Sequence, residues 1–203
     1  LSDKDGKPIN GKFGNTIVTN GKAQVSLKNG QETALRYLPR DIHYKVEEVE
    51  TSREGYHVTY EKQEGTLSED VQTIVTNHRL PTLSVTKKVT GAFANLLQSF
   101  KITINVRDAQ NRPLNGSYSV IVNNQKTTLQ FTNGKATVDL KKDKTIKILD
   151  LPLNARYSIE EEASSSRGYQ VSYDKKEGTL DANKSATVTN NKNSVPETGI
   201  DFL

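Results

Sequence analysis

The amino-acid sequence contains an internal repeat that limits the folds available to it. Residues 132–190 repeat residues 19–77 without a gap, at an offset of 113 residues, and 26 of the 59 aligned positions are identical. Upstream of this match, DGKPINGKFG (5–14) is similar to QNRPLNGSYS (110–119), with a slightly longer insertion in the second copy. A repeat of about 100 residues has the size of one compact domain. The sequence therefore predicts two tandem domains of the same fold.

Each copy has the pattern of an all-β domain. Short runs rich in Val, Ile, Tyr and Thr alternate between apolar and polar residues, and turn signals such as Asn20-Gly21 and Asn133-Gly134 separate them. One helix candidate, AFANLLQSF (92–100), is too short to change the class. Short strands separated by such turns are typical of a sandwich, so we predict two tandem Ig-like β-sandwich domains.

The two copies differ in how much of the domain they contain. Leu1 aligns near Val106, so the first copy is N-terminally truncated and lacks its first strand and most of its second. We expect the intact protein to supply roughly 20–25 further residues upstream, including a lysine-bearing strand. Pro81 stiffens a short linker between the copies. The predicted segments are domain 1 at 1–79, domain 2 at 80–193 and a tail at 194–203.

Composition excludes several function classes. The net charge is +4, and lysines are scattered among glutamates without a basic stripe, so we do not expect nucleic acid as a partner. The absence of cysteine excludes disulfides and thiolate metal sites. His43, His57 and His78 lie on separate segments without ligand spacing, so we interpret them as surface residues and predict no metal site. No cofactor motif and no membrane-spanning segment is present, so the chain is not expected to be membrane-embedded.

Strand periodicity points three polar side chains toward the interior of domain 2. In LSVTKKV, the period of two places Lys87 on the same face as Leu83, Val85 and Val89. In YSIEEE the same count places Glu161 with the apolar residues and leaves Glu160 outside. In ATVTNNK, Asn190 shares the face of Val188. A lysine, a glutamate and an asparagine are thus predicted to enter one apolar layer; the alternatives are a lysine that reaches solvent and an asparagine that ends its strand.

These segments resemble a known family. TLSVTKKVTG, DLPLNARYSIEEE and ATVTNNK are similar to the isopeptide-forming domains of streptococcal major pilins, which are relatives of the collagen-adhesin B-type modules. The resemblance implies that Lys87 and Asn190 join covalently and that Glu161 assists as a buried acid. It covers domain 2 and extends to domain 1, where Glu48 and Asn77 match but no lysine does. Asn77 is therefore a candidate only if the missing strand is supplied.

The implied reaction requires these residue types. Burial favours the neutral forms of both a lysine amine and a carboxylic acid. A neutral amine can attack an amide carbon that a protonated acid polarises, after which ammonia leaves, and enforced proximity makes an otherwise slow aminolysis feasible. Because the reaction would occur once in each molecule, it is maturation and not enzymatic turnover. Hydrolase roles for Glu47–Glu48 or Glu160–Glu161 are excluded, because adjacent strand residues face opposite sides.

A second motif lies in the tail. VPETG, which comprises Val195, Pro196, Glu197, Thr198 and Gly199, resembles the LPxTG-type sortase signal with valine in place of leucine. The resemblance implies cleavage between Thr198 and Gly199 and transfer of Thr198 to a wall peptide or a pilin lysine. The partners implied are a sortase and either peptidoglycan or other pilin subunits.

The function predicted from these motifs is structural. We expect a subunit of a pilus or of a wall-anchored adhesin stalk on the surface of a Gram-positive bacterium, with no cofactor. The alternative is an adhesin module that binds a host matrix protein or glycan; the absence of an aromatic cluster argues against it. Lys62 and Lys175, in the equivalent segments YEKQEG and YDKKEG, are candidate pilin-linking lysines.

Overall fold

The computed structural model describes residues 1–50 and 55–194, and its regular structure consists of β-strands. The prediction of an all-β fold is confirmed. The chain divides into two compact units, Leu1–His78 and Arg79–Leu203. They are called unit 1 and unit 2 below. Within the described ranges, no helix is long and apolar enough to cross a lipid bilayer.

Unit 2 is an Ig-like sandwich of a six-stranded and a four-stranded sheet. In order across the larger sheet its strands are β10 (Gln125–Phe131), β9 (Gly116–Val122), β12 (Thr145–Ile148), β7 (Leu83–Thr90), β16 (Lys184–Asn191) and β14 (Gln170–Asp174). In order across the smaller sheet they are β11 (Lys135–Leu140), β8 (Phe100–Arg107), β13 (Arg156–Glu161) and β15 (Glu177–Thr179).

The first and last strands of unit 2 are neighbours in the larger sheet. β7 and β16 pair in parallel, with Lys87 opposite Val188 and Val89 opposite Asn190. The neighbouring pairs in the described sheets of unit 2 are otherwise antiparallel. A parallel pair cannot be joined by a tight turn, and here the whole of unit 2 lies between the two strands. The fold therefore brings the two ends of the unit side by side.

The core of unit 2 lies between the sheets. Buried and more exposed residues alternate along β7, β8, β13 and β16, and the inward residues are mostly Leu, Val, Ile, Phe and Tyr. Phe100, Ile102, Ile104, Ile159 and Val188 have no exposed surface. This alternation has the phase that the sequence predicted, because one face of each strand packs against the opposite sheet.

Two local predictions can be compared directly with the structure. Asn20-Gly21 and Asn133-Gly134 have positive φ at both positions, as two-residue hairpin turns require, and this prediction is confirmed. The helix candidate at 92–100 is wrong: residues 92–93 and 96–97 form turns, and Phe100 already belongs to β8. So short a segment forms a helix only if its neighbours stabilise one. Here the loop instead makes contacts outside itself, because Phe93 N donates to the carbonyl of Lys192.

The described residues of unit 1 form three two-stranded sheets. They pair β1 (Gly11–Phe13) with β2 (Thr16–Val18), β3 (His43–Lys45) with β5 (Glu64–Thr66), and β4 (Tyr56–Glu61) with β6 (Ile74–Arg79). Among its described residues the buried hydrophobic side chains are Val18 and Ile42. Equivalent backbone hydrogen bonds show where the two units correspond. Leu1 N donates to Gly21 O in unit 1, and Val106 N donates to Gly134 O in unit 2. The described part of unit 1 therefore starts at a position equivalent to Val106 and contains no counterpart of β7.

Candidate functional site

Three strands bring Lys87, Asn190 and Glu161 together in the core of unit 2. Lys87 lies on β7 and Asn190 on the adjacent β16, while Glu161 ends β13 in the opposite sheet. Lys87 Nζ donates to Asn190 Oδ1 at 2.6 Å, and Asn190 Nδ2 donates to Glu161 Oε1 at 2.6 Å. Lys87 Nζ also lies 3.2 Å from Glu161 Oε2. The three side chains form a closed triangle of polar contacts that spans the sandwich.

The triangle is excluded from water. Lys87 and Asn190 have no exposed surface, and the side chain of Glu161 is also fully buried. The Lys87 amine lies 4.5 Å from the centre of the Phe100 ring, and its further hydrogen bonds go to the carbonyls of Lys88 and Val188 at 3.1 and 3.3 Å. An amine in such surroundings loses most of its hydration, which is unfavourable for its charged form.

Burial has the largest effect on the pKa of the Lys87 amine. Loss of hydration lowers the pKa of Lys87 from its ordinary value, while the charge of Glu161, whose Oε2 atom lies 3.2 Å from the amine, acts in the opposite direction. The lowering exceeds the opposing effect of the carboxylate. The amine therefore reaches its neutral, nucleophilic form at a lower pH than an exposed lysine does.

Glu161 is positioned by its backbone as well as by its side chain. Its backbone N–H donates to the Tyr173 hydroxyl at 2.9 Å. Its Oε2 atom is buried and accepts no hydrogen bond, although it lies within ion-pair distance of the lysine amine. Its Oε1 atom accepts from the amide nitrogen of Asn190, so the carboxyl does not contact the amide carbonyl, as an acid that polarises this carbonyl would. The carboxyl therefore touches both the amine and the amide nitrogen, the two groups between which protons would move.

The neighbours of the triangle point away from it. Lys88 and Glu160 are exposed, and Glu160 lies 3.7 Å from Lys176 on the surface. Because adjacent residues on a strand face opposite sides, Lys88 and Glu160 differ from the buried pair only in direction. They are therefore matched controls for Lys87 and Glu161.

Unit 1 repeats part of the triangle. Asn77 Nδ2 donates to Glu48 Oε1 at 3.1 Å, and Glu48 N donates to the Tyr60 hydroxyl at 3.0 Å, as Glu161 N does to Tyr173. Among the described residues no hydrogen bond or ion pair joins a lysine to Glu48 or Asn77. Asn77 is exposed, whereas Asn190 is fully buried. The acid and the amide are thus adjacent in both units, and the amine is present in one.

The other predicted residues lie apart from these two sites. Lys62 and Lys175 occupy equivalent exposed turns with φ of 50° and 55°, and their linking role stays a prediction. The three histidines are exposed, and the rings of His57 and His78 lie 6.4 Å apart. Among the described residues, no group of three or more His, Cys, Asp or Glu side chains could hold a metal ion. The sortase motif at 195–199 lies outside the described residues.

Two residues of the site were missed by sequence reasoning. Phe100 covers the lysine amine, and Tyr173 fixes the backbone of Glu161. Phe100 carries no distinctive signal, because any inward aromatic residue of a strand resembles it. Tyr173 does carry one, since Tyr60 occupies the same position of the first copy. Its identity in both copies could have marked it as part of the site.

Unit 2 is thus an all-β sandwich in which a buried lysine and a buried amide, on the first and last strands, meet an acid from the opposite sheet. The chain belongs to the domain family of unknown function DUF7601, whose model matches twice, at residues 1–79 and 81–192. The chain is also similar to the pilus tip adhesin Cpa of Streptococcus pyogenes, with 28% identity over 126 residues. That match covers 58% of this chain and 18% of Cpa, so the chain spans less than a fifth of this curated relative.

A solved pilus adhesin has a similar fold. The pilus-presented adhesin Spy0125 (Cpa) matches with a TM-score of 0.51 and 25% identity, over 57% of this chain and 28% of that chain. The major pilin of Streptococcus pyogenes matches with a TM-score of 0.47 and 16% identity, over 74% of this chain and 68% of that chain. The predicted resemblance to streptococcal pilus proteins is confirmed by the relationship to Cpa.

Proposed function

We propose that this chain is a structural part of a pilus or wall-anchored surface protein, and that a Lys87–Asn190 isopeptide bond stiffens unit 2. The observation that carries the proposal is the buried contact of 2.6 Å between Lys87 Nζ and Asn190 Oδ1, with Glu161 in contact with both side chains. The relationship to a streptococcal pilus adhesin supports a location on the cell surface.

The reaction follows from the contacts. Glu161 accepts a proton from the Lys87 amine, and the neutral Nζ attacks Cγ of Asn190. Glu161 protonates the departing nitrogen and then takes up the extra proton that Nζ carries after the attack. The Cγ–Nδ2 bond breaks, and ammonia leaves as the Nζ–Cγ amide forms. Glu161 touches both the nucleophile and the leaving nitrogen, so one carboxyl can carry every proton transfer. The strands hold the reactants in contact, which replaces an encounter in solution.

Intact-mass analysis tests this reaction. The purified chain should be lighter than its sequence mass by one ammonia, and digestion should yield a branched peptide that joins Lys87 to Asn190. Lys87→Ala and Glu161→Ala should restore the full mass, whereas Lys88→Ala and Glu160→Ala should not. An unmodified mass for the folded wild-type chain would refute the proposal. Loss of the bond in Lys88→Ala alone would mean that the wrong lysine has been assigned.

We further propose that Val195–Gly199 is the sorting signal that attaches the protein covalently. A sortase would cleave between Thr198 and Gly199 and transfer Thr198 to a wall peptide or to a lysine of another subunit. A purified pilus-type sortase, incubated with the chain and an amine acceptor, should release the fragment that begins at Gly199. Thr198→Ala should prevent this release. Cleavage at any other bond would contradict the assignment.

A second candidate function is adhesion to a host matrix protein or glycan. It is favoured by the similarity to a protein that is described as a pilus tip adhesin. An immunoblot of the native cell wall separates the possibilities, because a shaft subunit gives a high-mass ladder. A singly anchored adhesin gives one discrete band. A protein that forms no ladder and whose purified chain binds matrix proteins would be an adhesin. A shaft subunit is not expected to bind them.

A further inference from the structure

Two loops close the end of unit 2 at which the triangle lies. One loop joins β7 to β8 and comprises residues 91–99, and the other joins β13 to β14 and comprises residues 162–169. Glu161 is the last residue of β13 and Phe100 the first residue of β8, so both loops begin or end beside the buried amine. The first loop is also attached to the end of β16, because Phe93 N donates to the carbonyl of Lys192 at 3.0 Å.

Tyr169, the last residue of the second loop, connects the two loops. Its hydroxyl accepts the backbone N–H of Asn95 at 2.8 Å and donates to Gln98 Oε1 at 3.2 Å. Gln98 Nε2 donates in turn to the carbonyl of Ser165 at 2.7 Å, which returns the network to the second loop. A single hydroxyl group thus fastens together segments that lie more than 70 residues apart in the chain.

The ring of Tyr169 packs on the residue that covers the amine. The ring centres of Tyr169 and Phe100 lie 5.3 Å apart with an interplanar angle of 87°, an edge-to-face arrangement that aromatic pairs favour. The same Phe100 ring has its centre 4.5 Å from Lys87 Nζ. Phe100 has no exposed surface, whereas Tyr169 is partly exposed, so Tyr169 forms the outer layer of this cover.

We propose that Tyr169 is a positioning residue for the reaction of unit 2, because it holds both loops and the Phe100 ring in place and so keeps water from the Lys87 amine. It acts through Phe100 and not by contact with the reacting atoms. Separation of the loops would admit water to Nζ, and hydration favours the charged amine, which is not nucleophilic. This inference concerns the same amine as the function proposed above and rests on it.

Titration of the amine tests the exclusion of water without the reaction. In the full-length chain with Asn190→Ala the amine persists, and the NMR signal of its Cε atom, identified by its absence in Lys87→Met/Asn190→Ala, reports its pKa. Tyr169→Leu in the Asn190→Ala background should raise the pKa of Lys87 by about one unit toward its ordinary value. Tyr169→Phe, which keeps the ring but loses both hydroxyl contacts, should give a smaller rise. If Tyr169→Leu does not fold, Tyr169→Phe decides, and no rise in that variant refutes the proposal.

The charges around the amine limit the causes of such a rise. Among the described residues, the charged side chain in contact with the amine is that of Glu161 on β13. The rise should persist when Glu161→Gln is added, so that a closer carboxylate is not its cause. Lys192 Nζ lies 5.4 Å from the centre of the Tyr169 ring. A closer Lys192 would lower the pKa of Lys87, because like charges disfavour the protonated form, and cannot produce a rise.

Tyr118 offers a matched control in the same unit. Its ring meets that of Phe131 edge-to-face, with ring centres 5.6 Å apart and an interplanar angle of 83°. Tyr118 lies on β9, which β12 separates from β7 in the larger sheet. Tyr118→Leu removes an equivalent aromatic pair from the core, so it should also destabilise unit 2 but leave the pKa of Lys87 unchanged.

Intact mass follows the reaction itself in chains that retain Asn190. Each chain is made by a short pulse of cell-free synthesis, and the fraction that has become lighter by one ammonia is measured over time at neutral pH. Tyr169→Leu should slow the loss about tenfold, because a pKa one unit higher leaves about one tenth of the amine neutral. Tyr169→Phe should slow it less, and Tyr118→Leu should match the wild type.

The outcomes separate this inference from the proposed function. A raised pKa together with slower loss of ammonia supports the positioning role. An unchanged pKa in a folded Tyr169→Leu variant refutes it, and so does a raised pKa with the wild-type rate; in both cases a wild-type chain that loses ammonia leaves the proposed function standing. Equal rises in Tyr169→Leu and Tyr118→Leu would refute a particular role for Tyr169. If the wild-type chain keeps its full mass, the proposed function fails and this inference fails with it.

Discussion

At the scale of single residues, the burial of Lys87 is the most consequential feature of the chain. A lysine without exposed surface is rare unless it is paired. Here its partners are a carboxyl and an amide rather than water. An isolated ion pair in such a position commonly fails to compensate for the loss of hydration. Conversion of the amine to an amide removes that cost, because no charge then remains buried at Nζ.

The pKa of Lys87 gives a prediction for the unreacted site. In an Asn190→Ala variant the amine persists, and burial holds its folded-state pKa below the value of about 10.4 that it has in the unfolded chain. Between these two pKa values the unfolded state binds more protons, so the free energy of unfolding should increase with pH. Below the folded-state pKa the penalty of the buried charge is fully present. Urea denaturation of Asn190→Ala across this pH range measures the increase.

The control removes the amine from the same background. The double variant Lys87→Met/Asn190→Ala retains the other titrating groups, so the difference between the two variants isolates Lys87. The difference in the free energy of unfolding between the two variants should shrink as pH rises toward about 10.4. A difference that grows instead would mean that attraction to Glu161 outweighs burial and that the pKa is raised.

At the scale of elements, the parallel pairing of β7 with β16 sets the register of the site. Lys87 lies opposite Val188 on β16. Asn190 therefore lies two residues further along β16, on the same face as Val188. A slip by one residue would place Lys88 inside and Lys87 outside. The pairing ends at Gly91, where the chain turns away from β16 beside the backbone of Lys192. This close approach is part of what fixes the register.

Gly91 should therefore tolerate substitution less well than other glycines with positive φ. Gly91 and Gly116 have φ of 104° and 112°, but a Cβ atom at Gly91 would collide with the Lys192 backbone, whereas one at Gly116 meets nothing within 4 Å. Gly116→Ala should lower the free energy of unfolding by about 1–3 kcal/mol through backbone strain alone. Gly91→Ala should lower it further and lower the extent of ammonia loss. Thermal melting and intact mass measure the two effects, and equal melting of the variants would contradict the role of this contact.

At the scale of the whole molecule, the proposed bond would connect the two ends of unit 2. Lys87 and Asn190 are 103 residues apart in the chain. Tension applied through the ends of unit 2 would then follow a covalent path, which suits a tethered surface protein. Unit 1, with Val18 and Ile42 as the buried hydrophobic residues in its described part, has much less apolar burial to hold it together. The two units should therefore differ strongly in resistance to heat and protease.

Loss of the bond should destabilise unit 2. By the chain-entropy estimate for cross-links, closing a loop of about 100 residues contributes roughly 4–5 kcal/mol. Glu161→Gln, which keeps the shape of the side chain but cannot transfer protons in the same way, should lower the melting temperature of unit 2 by more than about 10 °C. It should also expose unit 2 to limited proteolysis. Glu160→Gln is the control, and equal melting of Glu161→Gln and wild type would argue against a covalent bond.

The fold class, the duplication and the inward direction of the reactive side chains could all be predicted from the order of the amino acids. Strand alternation has a period of two, so apolar neighbours alone reveal which face of β7 carries Lys87. Asn-Gly turns require positive φ wherever they occur, so Asn133-Gly134 could be predicted locally. The helix candidate at 92–100 could not be rejected in this way, because its backbone partners, such as Lys192, lie far away in the sequence.

Which of these groups meet depends on how the strands pair and pack in the folded domain. Period counting showed that three side chains face inward, but it could not show that Asn190 Oδ1 lies 2.6 Å from Lys87 or that Phe100 covers the amine. Those contacts depend on the pairing of strands about 100 residues apart and on the packing of one sheet against the other. The same holds for unit 1, where the contact of Asn77 with Glu48 is visible only after folding. The physical reason is that alternation is a local property of one strand, whereas proximity between strands is set by the core as a whole.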